Sequence, residues 1–171
     1  MSFKNIIGHA RAVSFLKEVY RRGRLAHAYV FVGPAGIGKA MTARAFAALL
    51  LCSSPEEQEP CGTCASCQKV QAGGHPDLEW VVPDGSFVKI EAIREACRRL
   101  SLRWFESLTK VLVIDQANAM NAEASNALLK TLEEPSSHAV IILITDTLRS
   151  LLPTIGSRCQ RVVFGPLDPE T

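Results

Sequence analysis

The stretch FVGPAGIGKA occupies residues 31–40 and decides how the rest of the chain is interpreted. The apolar run Ala28 to Val32 leads into it and predicts a strand, and the alanine-rich sequence Met41 to Leu51 follows with helical spacing. A glycine-rich turn between a strand and a helix is the context in which a phosphate-binding loop occurs. We therefore predict such a loop here; the alternative is an ordinary glycine-rich turn.

The residue types in this loop suit a polyphosphate. Gly33 and Gly38 can adopt backbone conformations closed to other residues and let the chain approach a ligand closely. Amides at the start of the following helix can hold anionic oxygens, and Lys39 can reach terminal phosphates as a point charge. The next residue is Ala40, at the position where such loops carry a Ser or Thr hydroxyl that binds magnesium. The loop therefore lacks its usual metal ligand.

The composition bounds the class of protein. The chain has 171 residues, of which 47% are hydrophobic, and a net charge of +2. This is enough for one domain with a substantial core, and the charge is too small to indicate nucleic-acid binding by itself. The N-terminus lacks the apolar core of a signal peptide, and no apolar run is long enough to span a bilayer. We expect a soluble, cytoplasmic protein with no membrane segment.

Short apolar runs alternate with helical patterns along the chain. Helical spacing of apolar residues predicts helices over 9–23, 90–102 and 121–134. Further strands are predicted at Leu78 to Val82, Val111 to Asp115, Val140 to Ile144 and Gln160 to Phe164. Continuous apolar runs are typical of parallel strands that are buried on both faces. The pattern therefore predicts an α/β domain with a mostly parallel five-stranded sheet and helices on both faces.

Four cysteines follow the first helix of the loop with the spacing C-x8-C-x2-C-x2-C: Cys52, Cys61, Cys64 and Cys67. Thiolates this close together suit tetrahedral Zn²⁺, and four protein ligands leave no open position for catalysis. Disulfides are the alternative, which an intracellular compartment disfavours. Because the insert, about residues 52–75, has little apolar sequence, we predict a knuckle closed by structural zinc. Cys97 and Cys159 are isolated and are predicted to be ordinary buried thiols.

A carboxylate ends one apolar run at Asp115, at the place where open α/β sheets bind ligands. In nucleotide hydrolases this acid holds magnesium, and a following Glu polarises the attacking water. The following residue here is Gln116, whose amide cannot accept the proton of that water. Together with Ala40, this predicts no strong ATPase activity. Thr145 follows another buried strand, where its side chain could face a γ-phosphate.

Arginines gather on one side of the predicted helix 90–102: Arg94, Arg98, Arg99 and Arg103. Contact with nucleic-acid phosphates is one interpretation of such a face. A solvated helix face is the other, and from the residues alone we favour it because a few surface arginines are ordinary.

Four features together resemble a known family: His27-Ala28-Tyr29 before the loop, the cysteine spacing, the string NALLKTLEEP at 126–135, and Ser157-Arg158-Cys159. From about Phe3 to Pro166 the chain is similar to bacterial DNA polymerase III clamp-loader subunits, which are AAA+ ATPases. The resemblance implies a RecA-like three-layer fold with an inserted zinc knuckle. It also implies that residues 1–171 form the N-terminal domain, because the family's helical lid and collar domains are absent from this chain.

Two kinds of subunit share these features. Gamma/tau subunits hydrolyse ATP and keep a loop hydroxyl and an acidic pair, which delta-prime subunits often lack. Ala40 and Gln116 therefore resemble the delta-prime type, a largely non-hydrolysing stator that works with gamma/tau and delta subunits to load the sliding clamp on primed DNA. An active gamma/tau-type ATPase is the alternative. The resemblance implies structural Zn²⁺, with ATP and Mg²⁺ bound weakly or not at all.

The resemblance also implies roles for individual positions. Arg158 matches an arginine finger that serves the ATP of a neighbouring subunit, and the four cysteines match zinc ligands. The resemblance also favours DNA contact as the role of the arginine face of helix 90–102. Nucleotide-binding roles fall on the phosphate loop, the magnesium acid, the sensor threonine and a segment near the adenine: Gly33, Gly36, Gly38, Lys39, Asp115, Thr145, Ile7 and Gly8.

Overall fold

Five strands and six α-helices make up most of the computed structural model, which describes residues 2–165. The strands are β1 (Ala28–Val32), β2 (Leu78–Val81), β3 (Lys110–Ile114), β4 (Ala139–Thr145) and β5 (Gln160–Val163). The helices are α1 (Ala10–Arg21), α2 (Lys39–Leu51), α3 (Ala65–Ala72), α4 (Ile90–Ser101), α5 (Ala122–Glu133) and α6 (Pro153–Gly156). Short 3₁₀ turns lie at Phe3–Asn5, Ala117–Ala119 and Leu148–Ser150. The predicted domain end at residue 171 lies outside the described residues.

The strands form one sheet in the order β2-β3-β4-β1-β5, and every neighbouring pair is parallel. This confirms the predicted parallel five-stranded sheet, and the predicted strand bounds agree to within one residue at each end. Among residues 2–165, none of the helices has both the length and the apolar character needed to cross a membrane.

The sheet is covered on both faces, as the continuous apolar runs predicted. Successive strand residues point to opposite sides, so Tyr29 and Phe31 pack with α1, α2 and α3, while Ala28 and Val30 pack with α4, α5 and α6. All four of these side chains are fully buried. Three layers result, with the sheet in the middle.

Strand order brings the carboxyl ends of β1, β3 and β4 to one edge of the sheet. Val32 at the end of β1 pairs with Thr145 at the end of β4, and Ile114 at the end of β3 pairs with Leu143. The glycine-rich loop, Asp115 and the residues after β4 therefore meet at this edge, which is where parallel sheets bind ligands.

A helix inside the cysteine insert was not foreseen from the sequence. The Sγ of Cys64 caps α3 by accepting from the backbone N–H of Cys67, and Gly73 ends the helix in a left-handed conformation. Val70 on this helix is buried against the core that contains α1 and α2. The insert is therefore attached to the domain by apolar packing as well as by its cysteines.

Gly33 has a different role from the one predicted. Its φ is not positive, so no special backbone conformation requires glycine there. Instead, β5 ends directly against it: a Cβ on Gly33 would lie 2.3 Å from the carbonyl oxygen of Phe164 and 2.9 Å from its Cβ. The attribution of unusual backbone freedom to Gly33 was wrong, and close packing against β5 is the reason for glycine.

Gly33→Ala should destabilise the domain, because the new methyl group meets a backbone oxygen that cannot move without shifting β5. Overpacking of this kind costs about 1–3 kcal/mol, which in a chain of this size lowers the melting temperature by roughly 3–10 °C. Thermal unfolding followed by circular dichroism measures the change. Gly74→Ala is the matched control, since no atom lies within 4 Å of the added Cβ. Equal melting temperatures for the two variants would contradict the packing role of Gly33.

Candidate nucleotide site and metal centre

The backbone of the glycine-rich loop has the conformation that a phosphate loop needs. Gly36 and Gly38 have φ values of +73° and +104°, in the left-handed region that favours glycine. Helix α2 begins at Lys39, two residues earlier than predicted. Lys39 and Ala40 therefore lie in the first turn, where backbone amides have no intrahelical acceptor. These amides supply the anion-binding character of the loop.

Lys39 is buried within its own loop. Only 5% of its surface is exposed, and its Nζ donates to the carbonyl oxygens of Gly33 and Pro34 and to Asp146 Oδ1, the last two at 2.7 and 3.0 Å. The ammonium charge is thus matched by a carboxylate and by two peptide dipoles. A phosphate that enters this loop has to replace at least the carboxylate.

A cavity of about 490 Å³ lies in front of the loop. Its walls come from the loop, the start of α2 and the ends of β3 and β4: Ala35, Gly36, Gly38, Lys39, Ala40, Met41, Asp115, Gln116, Ile144 and Asp146. This set includes several of the residues predicted for nucleotide binding. A cavity of this size can hold a polyphosphate group.

The cavity lacks two groups that hydrolysis requires. At Ala40 there is a methyl group where a hydroxyl would bind magnesium, and at Gln116 there is an amide where a carboxylate would activate water. Asp115 accepts the backbone N–H of Gln116 at 2.9 Å, and Gln116 has a φ of +52°. Of the two neighbouring positions that are acidic in nucleotide hydrolases, only residue 115 carries a carboxylate here.

Thr145 does not line this cavity. The residue is 1% exposed, and its Oγ1 donates to the carbonyl oxygen of Thr147 and contacts Ser150 Oγ, both at 3.0 Å. The next residue, Asp146, reaches Lys39 instead. Sequence reasoning missed Asp146, although its place directly after a buried strand was the signal that could have identified it.

The N-terminal segment approaches the loop through His9 and not through the predicted pair. Ile7 is 60% exposed, and Gly8 is left-handed with a φ of +79°. His9 is buried, and its Nε2 forms a 2.6 Å hydrogen bond with the carbonyl oxygen of Ile37 in the loop. Its ring also packs edge-on against Phe164 at 4.9 Å between centroids. His9 was missed because nothing in the local sequence links it to residue 37.

Arg158 is held by its own chain. Its guanidinium donates to the carbonyl oxygen of Thr154 at 2.8 Å and to Glu133 Oε1 at 3.0 Å. The arginine side chain is 35% exposed and the glutamate side chain 51%. An exposed pair of this kind contributes about 0–1 kcal/mol. Arg158 can therefore leave Glu133 at little cost if another anion is offered.

The four cysteines of the insert form one cluster. Their Sγ atoms all lie within 4.8 Å of one another, and Cys52 and Cys64 are 3.9 Å apart. Tetrahedral zinc with Zn–S bonds of about 2.3 Å needs sulfur atoms about 3.8 Å apart. All six cysteines are free thiols rather than disulfides. The donor set and its spacing fit a divalent metal such as zinc.

Backbone amides support thiolates in this cluster. The N–H groups of Cys61, Cys64 and Cys67 donate to the sulfur atoms of Cys52, Cys61 and Cys64 at 3.3–3.4 Å. Such donors lower the pKa of Cys61 to about 5, while burial raises the pKa of Cys67. Outside the cluster, burial raises the pKa of Cys97, and that of Cys159 to about 11, which agrees with ordinary thiols.

The arginine face of α4 is partly neutralised. Arg98 pairs with Glu95 at 2.7 Å, and Arg99 pairs with Glu95 at 2.8 Å and with Glu79 at 3.0 Å. These ion pairs favour the solvated-face interpretation for Arg98 and Arg99. Arg94 and Arg98 both line a cavity of about 500 Å³ between α4 and α5, together with Lys130 and Glu134.

Two buried carboxylates outside the predicted sites organise loops. Asp77 accepts the backbone N–H groups of Phe105, Glu106 and Ser107 at 2.7–2.8 Å. Glu59, inside the cysteine insert, binds the N-terminal segment and α1. Each carboxylate binds groups at least 28 residues away in the sequence, and local patterns therefore did not indicate them.

Fold and site together define a phosphate-loop α/β protein with an inserted four-cysteine cluster. The family described as "DNA polymerase III, delta subunit" matches residues 8–168. The delta' subunit of Bacillus subtilis DNA polymerase III is 39% identical over 94% of this chain and 48% of its own length. The gamma/tau subunit of Mycobacterium tuberculosis is 33% identical over 99% of this chain and 30% of its own length. The chain thus spans less than half the length of either relative.

A solved structure supports the fold. The clamp loader delta protein of Bacillus subtilis superposes with a TM-score of 0.62 over 92% of this chain and 44% of its own, at 9% identity. The family match over residues 8–168 shows that the chain belongs to the bacterial DNA polymerase III clamp-loader subunits, as its sequence features implied. The expected three-layer α/β fold with a parallel five-stranded sheet is confirmed as well.

Proposed function

We propose that this chain is the N-terminal domain of a delta-prime-type clamp-loader subunit, a largely non-hydrolysing stator. The observation that carries the proposal is the loop cavity, which keeps Lys39 and Asp115 but has Ala40 and Gln116 at two positions that hydrolysis needs. Similarity alone does not separate the two kinds of subunit, since delta' and gamma/tau relatives both match. The chemistry of these two positions favours the delta-prime type.

The residues of the loop also bear on how strongly this chain would bind ATP. Loop amides and Lys39 retain the means to bind a phosphate, while the loss of a magnesium ligand and the competition from Asp146 weaken it. Asp115 is the remaining candidate for magnesium. Gly36 and Gly38 of the loop complete the part of the proposed set that lines the cavity. Gly33, Thr145 and the Ile7–Gly8 segment near the adenine lie outside the cavity lining and belong to the set only because the family resemblance implies them. ATP and Mg²⁺ are thus bound weakly or not at all.

Arg158 is the residue through which this chain takes part in catalysis. We infer that it acts as an arginine finger in trans, stabilising the charge that develops on the transferred phosphoryl group of a neighbouring ATPase subunit. Its present contacts are an exposed carboxylate and one carbonyl oxygen, which leave the guanidinium free to exchange partners. In this proposal the neighbours are gamma/tau and delta subunits, held together by lid and collar domains beyond this chain.

The complete assembly would open the sliding clamp and place it on primed DNA. This chain's share is to complete a neighbour's active site and to hold the ring in position. DNA contact by the α4 arginine face remains part of the proposal. Arg94 is the best candidate because, among the described residues, it forms none of the ion pairs that neutralise Arg98 and Arg99. The alternative function is an active gamma/tau-type ATPase, which hydrolysis measurements distinguish.

The four-cysteine cluster is proposed to bind one structural Zn²⁺. Four sulfur ligands close the coordination sphere, so the metal holds the insert together and takes no part in chemistry. Its ligands would be Cys52, Cys61, Cys64 and Cys67, whose sulfur atoms all lie within 4.8 Å of one another.

The purified protein should contain about one equivalent of zinc per chain, measured by plasma mass spectrometry. Cys64→Ser should lose most of the zinc and destabilise the insert first, because the metal supplies much of its stability. Cys97→Ser is the matched control, since this thiol lies outside the cluster, and should keep the metal. Less than half an equivalent in the unmodified protein would argue against a zinc site.

The chain by itself should hydrolyse ATP no faster than background. Neither magnesium nor the attacking water is held in place when Ala40 and Gln116 replace the usual groups. A steady-state ATPase assay compares the chain with Lys39→Ala. Turnover above background that disappears in Lys39→Ala would contradict the stator proposal and favour the ATPase alternative.

Arg158→Ala should slow ATP hydrolysis by the assembled clamp loader, because an arginine finger is worth on the order of 10³ to 10⁵ in rate at the one site it serves. Folding and zinc content should not change. Arg158→Lys should restore little, since an ammonium lacks the planar fork. Arg161→Ala, an exposed arginine on β5, is the matched control. Unchanged hydrolysis by the Arg158→Ala complex would leave this residue as an ordinary surface arginine.

A further inference from the structure

A tight turn in the cysteine insert presents one buried carboxylate to the rest of the domain. Backbone hydrogen bonds close the turn between Glu56 and Glu59, at 3.0 and 2.8 Å. The two residues between them, Glu57 and Gln58, have φ values of +50° and +59°. Non-glycine residues keep this sparsely populated conformation only where the surrounding structure holds them in it. The turn is closed by these backbone bonds, and the cluster closes the chain on either side of it, because the N–H of Cys61 donates to Cys52 Sγ at 3.4 Å.

Glu59 holds the N-terminal segment, residues 2–9, with one carboxylate oxygen and helix α1 with the other. Its Oε2 accepts from Ser2 Oγ at 2.7 Å and from the backbone N–H of Phe3 at 2.9 Å. Its Oε1 lies 2.5 Å from Nζ of Lys17 on α1. Glu59 is 7% exposed. The contact fixes residues 2 and 3, because the buried N–H of Phe3 and the buried carboxylate itself would otherwise be unpaired.

The N-terminal segment continues from this anchor to the phosphate loop. Phe3 is 3% exposed and packs in the core that contains α2. Six residues later, His9 forms its 2.6 Å hydrogen bond with the carbonyl oxygen of Ile37, and its ring lies 3.9 Å from the place of a Cβ on Gly38. One continuous segment therefore contacts the cysteine insert at one end and the loop at the other.

We propose that Glu59 is a positioning residue that couples metal binding at the four-cysteine cluster to the conformation of the phosphate loop. The coupling runs from the metal to the strained turn, from the turn through Glu59 to residues 2 and 3, and from there along the segment to His9. This inference rests on the proposed zinc site. It goes beyond that site by giving the insert an effect on the nucleotide loop.

Removal of the metal releases the turn between Glu56 and Glu59. Without a common metal ion, the sulfur atoms of Cys52 and Cys61 no longer fix the two ends of the turn. The left-handed residues can then relax, and the carboxylate of Glu59 withdraws from Ser2, Phe3 and Lys17. The N-terminal segment loses its anchor, and the hydrogen bond from His9 to the loop is made by a mobile group.

Hydrogen exchange measured by mass spectrometry tests this coupling on the zinc-loaded chain and on the chain after chelation in the presence of a reductant. Zinc removal should speed exchange in residues 2–9 and 33–40 by about tenfold or more, because local opening replaces protected contacts. Exchange in β3 and β4 should stay slow in both states, which separates local release from global unfolding.

Glu59→Ala is the decisive variant. It should keep its zinc but show fast exchange in residues 2–9 and 33–40 whether or not the metal is present. Glu56→Ala, which removes an exposed carboxylate from the same turn, should respond to zinc like the unmodified chain. If Glu59→Ala does not fold, Lys17→Ala cuts the same contact from α1 and should reduce the response to zinc.

His9→Ala separates the two ends of the segment. Residues 33–40 should exchange fast in both metal states, while residues 2–5 should still respond to zinc. If the unmodified chain binds zinc but its loop exchanges at the same rate after chelation, the coupling is overturned and the zinc site stands. If the chain binds no zinc, the zinc site and the coupling are both wrong.

Discussion

Burial of the parallel sheet on both faces is the constraint on which the rest of the structure depends. Continuous apolar strands require helices on both sides, and the crossovers that supply them place β1 between β4 and β5. The carboxyl ends of β1, β3 and β4 then meet at one edge, and the glycine-rich loop, Asp115 and Asp146 meet there. The packing of the sheet also explains Gly33, because β5 ends against this residue and leaves no room for a side chain.

Electrostatics at that edge explain why the loop suits a stator better than an enzyme. A lysine in a phosphate loop needs anionic partners, and here Asp146 and two carbonyl oxygens supply them. The magnesium-binding hydroxyl and the water-activating carboxylate that hydrolysis needs are missing at residues 40 and 116. Within residues 2–165, Arg158 is held by an exposed glutamate and one carbonyl oxygen, and such contacts are easily exchanged. This contrast supports the proposal that the chain acts on a neighbour's nucleotide through Arg158 and does not hydrolyse nucleotide in its own loop.

Much of this could be predicted from the sequence because it depends on local patterns. Apolar runs located β1, β3 and β4, and shorter mixed patterns located β2 and β5. Cysteine spacing identified a cluster whose sulfur atoms lie together. What could not be predicted depends on contacts between distant residues. The packing of Gly33 against Phe164, the bond from His9 to Ile37 and the anchoring of Ser2 by Glu59 join residues at least 28 positions apart. Thr145 shows a different limit, because its position at a strand end does not reveal that its hydroxyl bonds within its own turn.

In the proposed role, this chain contributes to ATP hydrolysis at a neighbour's site and not at its own. ATP hydrolysis by an assembled clamp loader in which only this chain carries Lys39→Ala distinguishes the two sites. Such a complex should assemble and hydrolyse ATP at the unmodified rate, because the altered loop performs no hydrolysis. A loss of hydrolysis in an intact Lys39→Ala complex would instead assign catalysis to this chain's own loop.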